Sequence, residues 1–318
     1  MSLRDELGGL FVWDLDSRLL TWSDQIDPKG ELNDLPLSVQ ASIEKEKIYI
    51  QMKMGRIIVY RLERGAPLKL ALEEDHRSHG SLSFCHFQLF RNVLATPSSS
   101  KGATGYLDII KTEDDLEPII KDISSREKTG MCLCCRFVAL PDAHKANEAL
   151  LVAGYDSGLI SVFRLILAEG RAEEIKSVQA LSSTVVDLTA ELRGQKLLMA
   201  CGGAASQLKL ISFDFNGGLL EECQGHHSVL EFEGISAVDM LDGILVSGGW
   251  DAQIRLFRAE PTFECIRIDH SHRDVINQVK LYNSLRDIQG NKRPSQRYNR
   301  LLFSASRDGS INMYNLTK

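Results

Sequence analysis

Three cysteines crowd into the stretch Cys132-Leu133-Cys134-Cys135, and histidines come in two close sets, His226-His227 and His270-Ser271-His272. Zinc chemistry needs four ligands, usually as two separated pairs. The remaining cysteines, at 85, 201, 223 and 265, form no second pair, so the cluster reads as thiols packed in a core. Strand alternation puts Cys132 and Cys134 on one face and Cys135 on the other. No Ser-His-Asp set, His-Glu-x-x-His spacing or phosphate-cradling glycine loop is present. The expectation is therefore a protein without catalytic residues, cofactor or metal.

Two features suit binding instead. Asn283 to Arg300 holds Arg286, Lys292, Arg293, Arg297 and Arg300 against the single acid Asp287. Such a segment is a solvated basic insertion, or a contact for an acidic partner segment. The second feature is Trp250, set in a glycine-rich turn. Aromatic side chains exposed beside arginine and histidine are common anchors of protein interfaces.

The elements that must carry these residues are hairpins. Leu245 to Arg258 (LVSGGWDAQIRLFR) is an apolar run, a tight turn through Gly248, Gly249, Trp250 and Asp251, and a second run in which polar and apolar residues alternate. The same order recurs in Leu150 to Arg164 (LLVAGYDSGLISVFR) and Leu301 to Leu316 (LLFSASRDGSINMYNL). Asp156, Asp251 and Asp308 sit in the three turns, where a carboxylate accepts backbone N–H groups and holds the turn closed. An aromatic follows each aspartate by six residues or one more, at Phe163, Phe257 and Tyr314. Fainter copies end at Trp13, Tyr60, Ile110 and Ile211, so the steps between equivalent positions run from 46 to 57 residues by subtraction. Propeller blades recur every ~40 to 50 residues. The spacing predicts an all-β propeller whose loops carry insertions.

Composition agrees. The 318 residues are 43% hydrophobic and 25% charged, enough for one large all-β domain over 1–318. A net charge of −6 and a pI near 5.8 supply no basic field for nucleic acid. No apolar run reaches the ~20 residues of a membrane helix. Arg4, Asp5, Glu6 and Asp14 interrupt a signal-peptide core, and seven cysteines, an odd number, suit reduced thiols in nucleus or cytoplasm.

The ends of the chain pose a closure problem. Gly9 to Leu15 reads as an inner strand with no strands before it, followed by Arg18 to Ser23 as the outer strand of that blade. The last repeat stops two residues after Leu316 without an outermost strand. In a closed ring that strand is expected from the N-terminal end, with Arg18 to Ser23 as its candidate. Seven blades with an incomplete first one are expected, six closed blades being the alternative.

The stretches GGWDAQIRLF, AGYDSGLISVFRL, QGHH and SASRDGSINMYNL resemble the WD40-repeat family, and their order, after GMCLC at Gly130, is similar to the G-protein β-subunit-like protein 1 group, whose fungal counterparts are called ASTRA-associated protein 1. The resemblance implies a non-enzymatic scaffold that works with the Tel2-Tti1-Tti2 co-chaperone, with RuvB-like ATPases and with chromatin-associated complexes, in the maturation of phosphatidylinositol-3-kinase-like kinases. It implies tetrads in which His226 serves Asp251 and Ser247, and His272 serves Asp308 and Ser304 or Ser306, with Phe257 and Tyr314 in place of tryptophan. It implies also that Trp250 lies on the face where the central channel opens, with Tyr155, His272 and Arg273 as companions. A hydrolase of the diphthine methylesterase type and a G-protein β-like subunit are the alternatives.

Overall fold

The alternating runs form antiparallel meanders in a computed structural model, which describes residues 2–4, 9–13, 20–26, 34–42, 44–63, 69–76, 84–98, 105–112, 116–140, 147–216, 218–230, 233–283 and 300–316. The chain divides into two compact units, Met1–Ser124 and Ser125–Lys318. In the first unit, β1 (Ser2–Arg4), β2 (Gly9–Trp13) and β3 (Leu20–Gln25) form the first sheet. The second sheet is β4 (Pro36–Ser42), β5 (Lys47–Met52), β6 (Ile57–Glu63) and β7 (Lys69–His76). The third is β8 (Gln88–Phe90), β9 (Val93–Pro97), β10 (Leu107–Lys111) and β11 (Pro118–Ile123).

The second unit carries four further sheets. The fourth is β12 (Cys132–Ala139), β13 (Glu148–Tyr155), β14 (Leu159–Ile166) and β15 (Arg171–Gln179). The fifth is β16 (Val185–Arg193), β17 (Lys196–Gly203), β18 (Gln207–Asn216) and β19 (Leu219–Val229). The sixth is β20 (Ile235–Leu241), β21 (Ile244–Gly249), β22 (Ile254–Arg258) and β23 (Glu264–Asp269). The seventh has three strands among the described residues, β24 (Ile276–Asn283), β25 (Arg300–Ser306) and β26 (Ile311–Asn315).

Middle strands are near-continuous apolar runs because neighbouring sheets cover both their faces. In β13, Ala149 to Tyr155 are all buried. Leu150, Val152, Leu188, Met199 and Phe213 join the fourth sheet to the fifth. Leu198, Leu210, Val238 and Leu245 join the fifth to the sixth, and Val246, Leu256, Ile276 and Leu302 the sixth to the seventh. Each such side chain contributes roughly 1.5–3 kcal/mol through burial.

The repeat is written in the backbone as well. The last strand slips register against the strand before it at Trp13, Tyr60, Phe163, Phe213 and Phe257, and an irregularity of the same kind falls before Ile110. A β-bulge inserts one residue and sharpens the twist, so each equivalent bulky residue marks a bend of its sheet. The expected position Ile211 is corrected to Phe213 by this criterion. A second bulge opens the first strands, between Cys132 and Cys134 in the fourth sheet and between Val185 and Asp187 in the fifth. It breaks the alternation expected of the cysteines, and all three are buried.

Several outer strands escape the sequence reading. The sequence reading places no strand at β11, β19 or β23, which the structure adds. These strands are half-exposed or exposed, so they lack the apolar density that marks the middle ones. At the N-terminus β1 precedes Gly9, contrary to expectation, and β3 pairs with β2 in the first sheet. The idea that Arg18 to Ser23 completes the last repeat is overturned, whereas its reading as the outer strand beside Gly9 to Trp13 holds.

Candidate protein-interaction surface

One backbone bond fixes the turn between second and third strands in four sheets. The first turn residue donates its N–H to a carbonyl just ahead of the first strand: Lys53 to Leu35 (2.8 Å), Asp156 to Met131 (3.0 Å), Trp250 to Gly234 (3.0 Å) and Arg307 to Val275 (2.9 Å). By this bond Asp156 corresponds to Trp250 and Arg307, while Asp251 and Asp308 stand one place later. That offset explains why Phe163 follows its aspartate by one residue more than Phe257 and Tyr314 do.

Each aspartate then finds a different partner. Asp156 Oδ1 accepts the Met131 N–H at 3.0 Å. A Cβ on Gly130, whose φ is +73°, would lie 2.1 Å from that oxygen, so glycine is required where the carboxylate reaches the backbone. Asp251 pairs with the buried guanidinium of Arg255, with Nη1 to Oδ1 at 3.2 Å, and accepts the Gln253 N–H at 3.1 Å. The seventh sheet alone carries the expected histidine set: His272 Nδ1 is 3.2 Å from Asp308 Oδ2, and its Nε2 is 2.7 Å from Ser304 Oγ.

His226 does not serve Asp251. It lies exposed on β19, opposite Leu210, because Gly225-His226-His227 continues the outer strand of the fifth sheet instead of turning into the sixth. Arg255 takes its place from the neighbouring strand. Ser247, which that histidine would have bonded, is buried with its hydroxyl unpaired.

Asp308 also accepts the N–H groups of Arg273 (2.9 Å) and Ser310 (2.8 Å). Hydrogen bonds from Ser310, then from the backbone and His272, outweigh burial and hold its carboxyl below the ordinary 3.8. A carboxylate stabilised in this way stabilises the fold fully above its unfolded value and loses that contribution as pH falls through the folded one. Asp308→Asn is therefore expected to cost about 2 kcal/mol at pH 7. The gap between variant and parent should narrow as pH drops below about 4, as urea titrations at several pH values can measure; a gap independent of pH would refute the role.

Trp250 projects from the turn of the sixth sheet and is 46% exposed. Its ring lies over Gly234 (φ +101°), where a Cβ would come within 2.0 Å of the indole. The Gly249 N–H bonds to Gln253 at 3.0 Å, and the Asp251–Arg255 pair locks the same turn. The indole is thus both accessible and held in place. Arg273 stands exposed at the same end of the seventh sheet, which Ile276 packs against Gly248 of the sixth. Its side chain makes no hydrogen bond or ion pair among the described residues.

The other expected companions are elsewhere. Tyr155 is fully buried and His272 is 5% exposed, so neither reaches a partner; both belong to the packing beneath the turns. Lys292, Arg293 and Arg297 lie outside the described residues. Sequence reasoning missed Gly130 and Gly234, whose signal is a glycine just ahead of a first strand. It missed also the charges on the first strands themselves. Asp187 Oδ2 accepts the Val238 N–H and Asp239 Oδ2 the Leu281 N–H, both at 2.9 Å, while Arg136 Nε donates to the Leu188 carbonyl at 3.0 Å. These bonds tie the fourth to seventh sheets in series. Burial pushes the Asp187 carboxyl up against the opposing pull of Arg136. A lone charge in an apolar strand (VVDLT, AVDML, CCRFV) was the available clue.

The buried thiols of Cys134 and Cys201 are held in the protonated form. Burial, with the nearby Asp187 charge, raises Cys134 well above its ordinary value, and burial raises Cys201 to about 12. Among the described residues no cluster of His, Cys, Asp or Glu is arranged to hold a metal, and no helix is long and apolar enough to cross a membrane.

No protein-family model and no curated protein matches the sequence. Solved structures do. Sqt1 of Saccharomyces cerevisiae is similar over 100% of this chain and 81% of its own, at 13% identity and TM-score 0.66. A chain of the mitotic checkpoint complex is similar over 98% and 82%, at 11% identity and TM-score 0.68. BBS1N in complex with ARL6DN is similar over 88% and 78%, at 15% identity and TM-score 0.60. All three are β-propellers, and the likeness gives this chain that fold.

Proposed function

We propose that this protein is a non-enzymatic adaptor whose sheets close a single ring of seven blades over residues 1–318. It binds the Tel2-Tti1-Tti2 co-chaperone system, together with RuvB-like ATPases, in nucleus and cytoplasm, supporting the maturation of phosphatidylinositol-3-kinase-like kinases and chromatin-associated complexes. The observation that carries the adaptor reading is Trp250, an indole left in solvent on a turn that has no freedom to withdraw it. Aromatic anchors of this kind lose little conformational entropy on binding. The exposed Arg273 of the neighbouring seventh sheet supplies a charge that a partner carboxylate can meet. The propellers similar to this chain include members of protein complexes, which supports protein partners in general; the named partners rest on the resemblance of GGWDAQIRLF and AGYDSGLISVFRL.

The test is affinity purification of the tagged chain from cells, with and without Trp250→Ala. Tel2, Tti1 and Tti2 are expected with the parent and reduced about tenfold or more with the variant, as for a hot-spot residue, at an unchanged melting temperature. Recovery of G-protein γ-like peptides alone, or equal recovery with the variant, would sink the reading.

A further inference from the structure

The indole of Trp250 rests on the Gly234 backbone, where a Cβ would come 2.0 Å from its Cδ2 and 2.1 Å from its Cε3. The residue is still 46% exposed. No other ring and no cation of the chain lies over it among the described residues. The face of an aromatic ring carries the negative side of its quadrupole, and of the aromatic side chains tryptophan holds a cation best. The open part of this ring is thus an unused cation site.

The charges near it point the same way. Of the seven acids from Glu233 to Asp269, six have a cationic partner: Asp239 has Lys280, Asp242 has Arg300, Asp251 has Arg255, Glu260 has Arg193, Glu264 has Arg258 and Asp269 has Arg267. The three bases in that span, Arg255, Arg258 and Arg267, are all taken by these pairs. Glu233 is exposed and has no hydrogen bond or ion pair among the described residues. It precedes Gly234 directly, with their Cα atoms about 3.8 Å apart, so the unmatched acid of the sixth sheet stands beside the residue on which the indole rests.

We infer that the adaptor surface reads a basic residue: a lysine or arginine side chain of the partner seats on Trp250, its charge is met by Glu233, and a carboxylate close by in the same partner segment meets Arg273. The inference rests on the adaptor reading of Trp250 and adds the chemistry of its occupant. A long basic side chain covers the ring with its aliphatic stem while its charged head stays in water, where Glu233 can pair with it. An apolar side chain would cover the same ring but gain nothing from Glu233. An acidic one at that position would be repelled by it, and such like-charge contacts are what suppress wrong partners.

The experiment pans a phage library of random short peptides against the whole protein, keeps those that bind the parent but not Trp250→Ala, and measures each by fluorescence anisotropy. The retained peptides are expected to share a lysine or arginine, with an aspartate or glutamate close by. Trp250→Leu, which keeps apolar area but removes the ring, should weaken them about tenfold. Glu233→Lys should turn the selection from basic to acidic peptides without moving the melting temperature, since that side chain is exposed. Recovery of no such peptide, peptides with no shared basic residue, parental affinity in Trp250→Leu, or an unchanged selection by Glu233→Lys overturns the inference. Recovery of Tel2, Tti1 and Tti2 that is lost with Trp250→Ala but kept with Trp250→Leu would leave the adaptor reading standing and overturn this one alone.

Discussion

Phe213→Ala is expected to lower stability by about 3–5 kcal/mol, the range for deleting a fully buried aromatic side chain. The ring is 0% exposed and packs in the cluster that joins the fourth and fifth sheets, beside Leu197 and Met199. Lys176 Nζ sits 5.7 Å from the ring centroid. The neighbours cannot close the gap easily, because the ring stands at the register slip where β19 bends against β18. Urea denaturation should show a lower midpoint at similar slope. A loss under 1 kcal/mol would mean that the two sheets are not held together at this point.

His272→Ala should cost about 2–4 kcal/mol, although it removes fewer apolar atoms. The imidazole side chain is 0% exposed and bridges Asp308 to Ser304. Its removal leaves a buried hydroxyl and one side of a carboxylate without their partner, and such groups bear the full desolvation penalty. His226→Ala is the matching control. That side chain is exposed on β19, so a change within about 0.5 kcal/mol is expected. Equal losses from both substitutions would show that the histidine role has been assigned to the wrong sheet.

The contrast between these histidines shows where sequence reasoning stops. Gly225-His226 and His270-Ser271-His272 look alike as strings, each lying a few residues ahead of an apolar strand. Whether a histidine reaches a turn depends on where the preceding outer strand ends. β19 runs on to Val229 and carries its histidines along the outer edge, while β23 ends at Asp269 and releases His272 into the loop. Outer strands are amphipathic and partly solvated, and their ends are set by pairing with the third strand. Trp250 and Tyr155 illustrate the same limit: both are aromatic, both adjoin a turn aspartate, and one is in solvent while the other is buried.

The sequence by itself determined the class of fold, the recurrence of the sheets and the places of the middle strands. Those strands must be apolar throughout because both of their faces are covered, and composition records that demand directly. It also marked Trp250 and the turn aspartates, since tight turns restrict residue type. Only the tertiary structure decided which partner each aspartate holds, where the cysteines lie across the bulge, and that β3 belongs to the first sheet. These depend on contacts between segments 25 to 51 residues apart, where geometry selects among side chains that are chemically equivalent on paper.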